Sequence, residues 1–390
     1  MNVIEVNNKA LIREFLELPV AIYKDIPQWV RPWDKDIEVV FDKDKNKFFK
    51  HGSAIRWVLR DDSGKTIGRV AAFINEKEAN TFDQPTGGMG FFECINDREA
   101  ANLLFDTCKK WLEERGMEAM DGPINFGERN AWWGLLVEGY EYPPTYQFNY
   151  QPPYYRDFFE SYGFQVYYKQ FCYHRSSEEM LNENVGRMAE RLFNKKGYNF
   201  KSLDWKNIDY FIDVTTEIYN TAWVEHETFK PMKRSHIAGL FKQMKPISDP
   251  NLALFAFYED KPIGFFVCIP DINPIIKKLN GKFNLWSKLK FKYYQLRGES
   301  RVFTGILFGI IPRYQGRGIT NAFAKLMQNN AQERKRYDTF EMGWLGDFNP
   351  TMLHIADAVD TENHKVLHTY RKLFDETKEF KRRPIIGKTN

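Results

Sequence analysis

The sequence predicts a protein of the mixed α/β (α+β) class that is built as two similar halves. Its 390 residues correspond to two or three domains at roughly 150 residues per domain. Hydrophobic residues make up 43% of the chain and aromatic residues 16%, which supplies a large core and excludes a disordered or fibrous protein. The strongest observation is that one order of strands and helices occurs twice along the chain.

In the first half, residues 54–75 are predicted to form two strands joined by a turn at 62–65. A helix follows, because apolar residues recur at helical spacing between Asp97, a predicted N-cap, and Gly116, a predicted C-cap. A strand at 118–124 ends this unit.

The second half repeats the order: a strand hairpin at 252–271, a strand at 301–312, a helix at 321–336 and a strand at 339–346. This period is far too long for a solenoid and predicts a duplicated domain. We expect the two units to be residues 1–178 and 179–390.

Two stretches of the first half are predicted to be irregular. The first 50 residues are expected to be helical or irregular, with helical spacing from Ala10 to Leu18 and prolines that interrupt the helix after that point. The glycine-rich run 86–90 is expected to be a break before a strand at 91–95.

Cysteines, charge and hydropathy exclude several classes. The four cysteines (Cys94, Cys108, Cys172 and Cys268) form no C-x-x-C pair, so we expect free buried thiols and no metal site. A net charge of +4 is too small to indicate nucleic acid as a partner. Residues 1–15 carry acids and no apolar signal-peptide core, and no run of about 18 apolar residues occurs, so the expected location is the cytoplasm.

The hexapeptide Arg313–Gly318 carries the clearest chemical signal. It follows a predicted strand and opens a predicted helix, and Gly316 and Gly318 allow a close approach of the backbone to a ligand. Amide N–H groups at a helix start, together with the helix dipole, bind anions such as a pyrophosphate. A tight strand-to-helix turn without a ligand is the alternative.

These residues resemble the signature [QR]-x-x-G-x-[GA] of the GNAT acyltransferase superfamily. The resemblance implies a mixed, mostly antiparallel sheet flanked by helices in each half, a gap between two strands that holds the acyl-pantetheine arm of coenzyme A, and a loop that holds its pyrophosphate. The cofactor-binding residues that it implies are Phe308, Gly309, Ile310, Ile311, Arg313, Tyr314, Gln315, Gly316, Arg317, Gly318, Ile319 and Asn349. The expected co-substrate is acetyl-CoA or another acyl-CoA, with no metal.

The chain also resembles a bacterial subfamily of tandem GNAT proteins. The runs that carry this likeness are FECIND at 92–97, GPIN at 122–125, GLLVEGY at 134–140 and NYQPPYY at 149–155. At the place of the loop, the first half has residues 96–100, with acids and no glycine, which would repel a pyrophosphate. We therefore expect this half to be a degenerate unit that covers the cleft and shapes the acceptor site.

Acyl transfer from a thioester to an amine needs a base, a backbone N–H for the oxyanion and an acid for the thiolate. In the family the acid is often a Tyr seven residues after an Asn that corresponds to Asn349, but residue 356 is Ala. The candidates are Glu341 as base and Tyr370 or His354 as acid. His226 and Glu227 are a further candidate pair, with an exposed helical pair as the alternative.

Two further segments are unusual. The aromatic stretch 132–155 is expected either to pack between the halves or to form an acceptor pocket. Residues 277–297 contain seven Lys or Arg, interleaved aromatics and no acid, which fits either weak contact with a membrane surface or a solvated helix.

The predicted function is transfer of an acyl group, in the first place acetyl, from coenzyme A to a small-molecule or peptide amine by a monomer or homodimer. The alternatives are a non-catalytic acyl-CoA sensor and an aminoacyl-transferring tandem GNAT protein.

Overall fold

A computed structural model describes residues 1–81, 83–222 and 231–387. These residues form thirteen strands and twelve α-helices. The strands are β1 (Asn2–Glu5), β2 (Gly52–Arg60), β3 (Thr66–Asn75), β4 (Thr86–Cys94), β5 (Ala119–Gly122), β6 (Leu135–Glu138), β7 (Gln165–Ser176), β8 (Tyr198–Ser202), β9 (Ala253–Tyr258), β10 (Lys261–Pro270), β11 (Val302–Ile310), β12 (Thr339–Gly346) and β13 (Glu362–Leu373). The helices are α1 (Lys9–Ile22), α2 (Asp34–Phe41), α3 (Glu76–Ala79), α4 (Arg98–Glu113), α5 (Tyr155–Ser161), α6 (Glu183–Phe193), α7 (Ile208–Ala222), α8 (Arg234–Met244), α9 (Asn273–Leu279), α10 (Leu285–Leu296), α11 (Ile319–Arg334) and α12 (Pro350–Ala358).

All the strands belong to one sheet, in the order β1-β2-β3-β4-β5-β13-β7-β12-β11-β10-β9-β8, with β6 paired to β13 beside this path. The pairs are antiparallel except β4–β5 and β11–β12, which are parallel. Helices cover the sheet, so the predicted fold class, a mostly antiparallel sheet flanked by helices, is confirmed.

Each half donates its last strand to the other half. The first half's β7 pairs with β12, while the C-terminal β13 pairs with β5 and β6. The two donated strands also pair with each other along most of their length. The residue boundary at 178 stays a prediction, but neither half closes its sheet without the other.

The predicted helix of the first half is confirmed as α4. Its side chains Leu104, Phe105 and Cys108 are completely buried against the sheet. The side chain of Asp97 caps the helix by accepting a hydrogen bond from the N–H of Ala100 at 3.1 Å, and Gly116 just beyond the helix has φ +77°. The amphipathic pattern therefore located both the helix and its buried face.

The N-terminal segment differs from the prediction in two ways. β1 pairs with β2, and α1 runs through Pro19 to Ile22 instead of ending before it. A proline in a helix leaves the carbonyl four residues earlier without its N–H partner. Here that carbonyl belongs to Phe15, and it accepts a hydrogen bond from the buried guanidinium of Arg69. A side chain from β3 thus replaces the missing donor.

The glycine-rich run 86–90 is a second correction, because it forms the first part of β4. A Cβ on Gly90 would lie 1.8 Å from the carbonyl oxygen of Ile124, and a Cβ on Gly88 would lie 2.2 Å from the ring of Phe73. These glycines permit close packing in an extended strand, so they do not mark a turn.

Candidate active site

The parallel strands β11 and β12 separate part of the way along their length. They pair at four positions, from Val302 with Thr339 to Gly305 with Met342. Beyond that point β11 continues to Ile310 without its neighbour, which leaves a gap that opens towards the carboxyl ends of both strands. β4 and β5 separate in the same way in the first half.

A β-bulge lies on β11 at the place where the gap begins. Val267 of β10 lies opposite Leu307, but the next residue, Cys268, lies opposite Gly305. Ile306 is therefore an extra residue without a partner on β10, and its side chain is 38% exposed. A bulged residue is unpaired in the ladder, so its peptide group is available to a ligand in the gap.

The predicted loop closes the open end of the gap and leads into α11. Gly316 and Gly318 have φ of +70° and +88°, values that favour glycine. No atom lies within 4 Å of the place of a Cβ on Gly316. Gly318 is the N-cap of α11 and provides no capping side chain, so the first N–H groups of this 16-residue helix remain available to an anion.

Two arginines of the loop add positive charge. The guanidinium groups of Arg313 and Arg317 lie 5.0 and 5.5 Å from the ring centroid of the buried Tyr314. Both arginines are exposed, and neither forms an ion pair with a carboxylate of the described residues. Gln315 fixes the loop by donating a hydrogen bond to the carbonyl of Ile310 at 3.0 Å.

The side chains of the residues before the loop pack mostly into the protein, so it is their backbone that borders the gap between β11 and β12. Phe308 packs edge-on against Phe266, and the side chain of Ile310 is buried in the core. Gly309 is buried as well, and the N–H of Ile311 donates to the carbonyl of Ile263. The predicted pantetheine-lining run therefore presents peptide groups to the gap.

The described residues of the first half, 1–81 and 83–178, contain no counterpart of this anion site. At the same place, the carboxylate of Asp97 occupies the N-terminus of α4 and accepts from the N–H of Ala100. A negative charge already binds the amide groups that a phosphate would need. That the first half is a degenerate unit stays a prediction.

Glu341, the predicted base, lies on β12 at the closed end of the gap. It is opposite Thr304 on β11 and opposite His174 on β7. Its buried carboxylate accepts a hydrogen bond from Nζ of Lys365 at 2.6 Å, and Nε2 of His364 lies 3.5 Å from its other oxygen. Burial raises the pKa of Glu341, but Lys365 and His364 outweigh burial and leave the pKa below its ordinary value.

Two histidines and a tyrosine pack together beside this carboxylate. The rings of His174 and His364 are stacked with centroids 4.3 Å apart, and Tyr142 packs edge-on against both. Nδ1 of His364 lies 2.9 Å from the carbonyl oxygen of Cys172, which can only accept, so this nitrogen carries a proton and Nε2 faces Glu341. Burial and the neighbouring His364 lower the pKa of the half-buried His174.

A buried aspartate completes the electrostatics of the site. Asp271 follows β10 and accepts hydrogen bonds from the N–H groups of Tyr146 and Asn273. Burial, and to a smaller extent the charge of Glu341, raise the pKa of Asp271, while the two hydrogen bonds and Lys365 lower it, and the net result is a pKa of about 7. A group that titrates near neutrality therefore lies within electrostatic reach of Glu341.

The structure does not bring the other predicted catalytic residues to the gap. Tyr370 is completely buried in the core of the first half, and its hydroxyl donates to Glu160 at 3.0 Å. Along β13 it is five residues from Lys365, or about 17 Å. His354 is exposed on α12 beside Asp357, and the side chain of Asn349 caps that helix. His226 and Glu227 lie outside the described residues.

The aromatic stretch of the first half connects the two gaps. The carbonyl of Pro143 accepts from Nζ of Lys365 at 3.1 Å, so this segment touches the Glu341 group. The neighbouring residues 144 and 148–151 line a cavity that reaches residues 91–93 of β4 in the first half's gap. The stretch therefore touches the Glu341 group at Pro143 and lines the first half's gap with the residues that follow.

Sequence reasoning missed His174, His364, Lys365 and Asp271. No local motif marks them: His174, His364 and Lys365 come together only where β7 from the first half lies between β12 and β13, and Asp271 approaches them from the end of β10. Among residues 1–81, 83–222 and 231–387, no group of three or more side chains is arranged to hold a metal ion. No helix within these ranges is long and apolar enough to cross a membrane.

Two curated proteins are similar to the chain over almost its whole length, although no protein-family model matches it. A protein from Caulobacter vibrioides named bacterial ceramide synthase is 27% identical over 385 residues, which cover 95% of this chain and 97% of that protein. Protein YghO from Escherichia coli is 24% identical over 371 residues, which cover 94% and 93%.

Solved structures show the same architecture at low identity. A tandem GNAT protein from the clavulanic acid biosynthesis pathway superposes with a TM-score of 0.55 at 11% identity, covering 95% of this chain and 98% of that one. A GCN5-related N-acetyltransferase from Sphaerobacter thermophilus gives 0.52 at 10% identity, with 95% and 96% covered. The chain is thus a tandem protein of the GNAT fold.

Proposed function

We propose that this protein is an N-acyltransferase that moves an acyl group from acyl-coenzyme A to an amine. The observation that carries the proposal is the gap between β11 and β12. Its closed end contains the buried Glu341. Its open end faces the uncapped N-terminus of α11, with Arg313 and Arg317 beside it. The open end offers amide groups and positive charge to a pyrophosphate, and the closed end offers proton-accepting groups to the reaction.

The reaction forms a C–N bond and breaks the C–S bond of the thioester. The bulge at Ile306 offers a peptide N–H to the oxyanion that forms when the amine attacks. The amine proton passes to the group formed by His174, His364 and Glu341, and the electron pair of the broken bond leaves on the thiolate of coenzyme A.

The Caulobacter relative supports a lipid acceptor in addition to the acetyl transfer that the family resemblance favours. Its name is bacterial ceramide synthase, and the likeness covers 95% of this chain. A ceramide is the fatty amide of a long-chain amino alcohol, so its formation is N-acyl transfer. We therefore propose long-chain acyl-CoA and a long-chain amine as the second pair of substrates to test.

Calorimetry with acetyl-CoA and a long-chain acyl-CoA tests the proposal. Wild-type protein should bind at least one of the two, and Gly316→Glu should abolish binding because it places a negative charge among the anion-binding groups. Gly64→Glu is the matched control, since Gly64 also has positive φ (+85°) and open space at its Cβ but lies in the hairpin turn of the first half.

Turnover is then followed by mass spectrometry of the acylated amine. Amide formation by wild type and its loss in Gly316→Glu would support the proposal. Failure of wild type to bind either thioester, or an equal loss of binding in Gly64→Glu, would contradict it. Binding without turnover over a broad panel of amines would favour the acyl-CoA sensor instead.

A further inference from the structure

We propose that α10 is a membrane-interface helix that places the protein on an anionic lipid surface. The helix belongs to the predicted basic and aromatic segment 277–297, which the structure shows as an α9–α10 hairpin between β10 and β11. Its outward face is apolar.

The exposed side of α10 carries large apolar side chains in place of polar ones. Leu285, Trp286, Leu289, Tyr293 and Leu296 are between 52% and 76% exposed. At 100° per residue they fall within an arc of about 100° on one side of the helix. A stripe of this kind on a soluble surface marks an interaction site.

The opposite side of α10 packs on the protein. Ser287 is buried, and Phe291 and Tyr294 are partly buried against a small core that includes Trp33, whose ring lies 5.9 Å from that of Phe291. The side chain of Gln295 donates to the carbonyl of Pro246 at 2.9 Å. The helix is therefore held in place, and its orientation fixes which side chains point outwards.

Basic residues border the apolar stripe on both sides. Lys288 and Lys292 lie along one edge, while Lys290 and Arg297 lie along the other, and all four are exposed. Residues 277–297 contain no acid, and within the described residues none of these four side chains forms an ion pair. Long basic side chains reach from such positions to lipid phosphates while the apolar stripe enters the interface.

The helix is connected to the closed end of the gap. The short link 297–301 leads from α10 into β11, whose Thr304 lies opposite Glu341. On the other side, α9 begins beside Asp271, which lies within electrostatic reach of Glu341. Docking through α10 would therefore bring the acceptor side of the site to the bilayer. If the protein is an N-acyltransferase, as proposed above, docking through α10 implies that the acceptor is an amine-bearing amphiphile of the membrane.

Co-sedimentation with vesicles tests the proposal without substrate. Wild-type protein should sediment with vesicles of equal parts phosphatidylglycerol and phosphatidylcholine and much less with phosphatidylcholine alone. Trp286→Ser/Leu289→Ser should abolish sedimentation. Lys288→Gln/Lys292→Gln should weaken it roughly 30-fold, since each basic residue near an anionic surface contributes about 1 kcal/mol.

Met180→Ser is the matched control, because Met180 is 76% exposed on another surface and its loss should leave sedimentation unchanged. Thermal unfolding should match wild type for all these variants. Absence of wild-type sedimentation, or an equal loss in Met180→Ser, would overturn the proposal. Light scattering that shows a dimer broken by Trp286→Ser/Leu289→Ser, without vesicle binding, would assign the face to a second copy instead.

The membrane proposal and the proposed function fail separately. Sedimentation requires neither coenzyme A nor an amine, so Gly316→Glu should sediment as wild type does even though it cannot bind a thioester. Vesicle binding without turnover would contradict only the acyltransferase proposal.

Discussion

His174 is the residue whose position says most about the reaction. It comes from the first half, yet it lies opposite Glu341 and stacks on His364 in the gap of the second half. Burial lowers the pKa of His174 below its ordinary 6.5, and the neighbouring His364 lowers it further, so at neutral pH the ring is uncharged and can accept a proton.

We expect kcat/KM of the wild type to rise with pH through a value below 6.5, because only the neutral His174 accepts the amine proton. His174→Gln should remove this acid limb and lower the rate about 100-fold or more. The measurement is the pH profile of amide formation. His354→Gln is the control, since His354 is an exposed histidine outside the gap. An acid limb that survives in His174→Gln would exclude this role.

Asp271 makes stability depend on pH in the direction opposite to an ordinary paired carboxylate. Its pKa is 3.8 in an unperturbed chain and about 7 in the folded protein. The folded state therefore binds the proton more tightly, and this group's contribution to stability falls as pH rises from about 4 through 7. Three pKa units correspond to about 4 kcal/mol as an upper bound.

Asp271→Asn keeps the oxygen that accepts from Tyr146 and Asn273 but cannot ionise. We expect urea unfolding to show that the variant is more stable than wild type at pH 8 and that the difference disappears towards pH 4. A difference that is constant with pH would show that Asp271 does not titrate in this range.

At the scale of elements, α1 shows how one side chain allows a helix to contain a proline. Arg69 donates to the carbonyl of Phe15 that Pro19 leaves without an N–H, and it also pairs with Glu93. We expect Arg69→Met to destabilise the protein by about 3–5 kcal/mol, because it leaves the carbonyl of Phe15 without a donor and the buried carboxylate of Glu93 without its positive partner.

In the Pro19→Ala background the N–H of residue 19 can donate to the carbonyl of Phe15. The loss of unfolding free energy caused by Arg69→Met should therefore be about 1 kcal/mol smaller in that background. Urea unfolding of the four proteins in this double-mutant cycle measures the difference. Pro32→Ala, a proline outside α1, is the control and should show no coupling to Arg69. If Arg69→Met showed the same coupling energy with Pro19→Ala as with Pro32→Ala, Arg69 would not be replacing the N–H donor that α1 lacks at Pro19.

Elements with one buried face could be predicted from the sequence. Elements with two apolar faces, or with residues chosen for contacts distant in the chain, could not. α4 has a single apolar stripe, and the hairpins β2–β3 and β9–β10 have clear turn residues. α10 has two apolar faces separated by rows of lysine, so its periodicity is weak. The glycines of β4 resemble a turn in sequence because the contacts that require them, with Phe73 and Ile124, are distant in the chain.

At the scale of the whole molecule, the part of the candidate site that is local in sequence could be predicted, and the part that depends on distant strands could not. The loop Arg313–Gly318 is continuous in sequence and could be predicted together with Glu341 on the neighbouring strand. The histidines could not, because His174 reaches Glu341 only through the exchange of β7 and β13 between the halves. The exchange also explains why Tyr370 lies away from the gap, since β13 carries it into the core of the first half, where it pairs with β5.

The exchange predicts that neither half folds alone. A chain divided after Met180, in the exposed link between β7 and α6, should give two fragments that are each unfolded by circular dichroism, because each lacks a strand that its sheet requires. Co-expressed, residues 1–180 and 181–390 should form a stable complex.

A protease site inserted at the same position and cut after folding is the control, and the cut protein should stay associated. Cooperative thermal unfolding of either fragment by itself would show that the halves are independent domains.

The exchanged strand also sets an order for biosynthesis. β5 is complete at Gly122, but its neighbour β13 ends at Leu373, so the nascent first half leaves the ribosome with an unpaired sheet edge. At 5–20 residues per second this edge waits for roughly 10 to 50 s before its partner has been translated. Open edges invite pairing with other chains, so slow codons in the second half of the message should increase aggregation of the newly made protein.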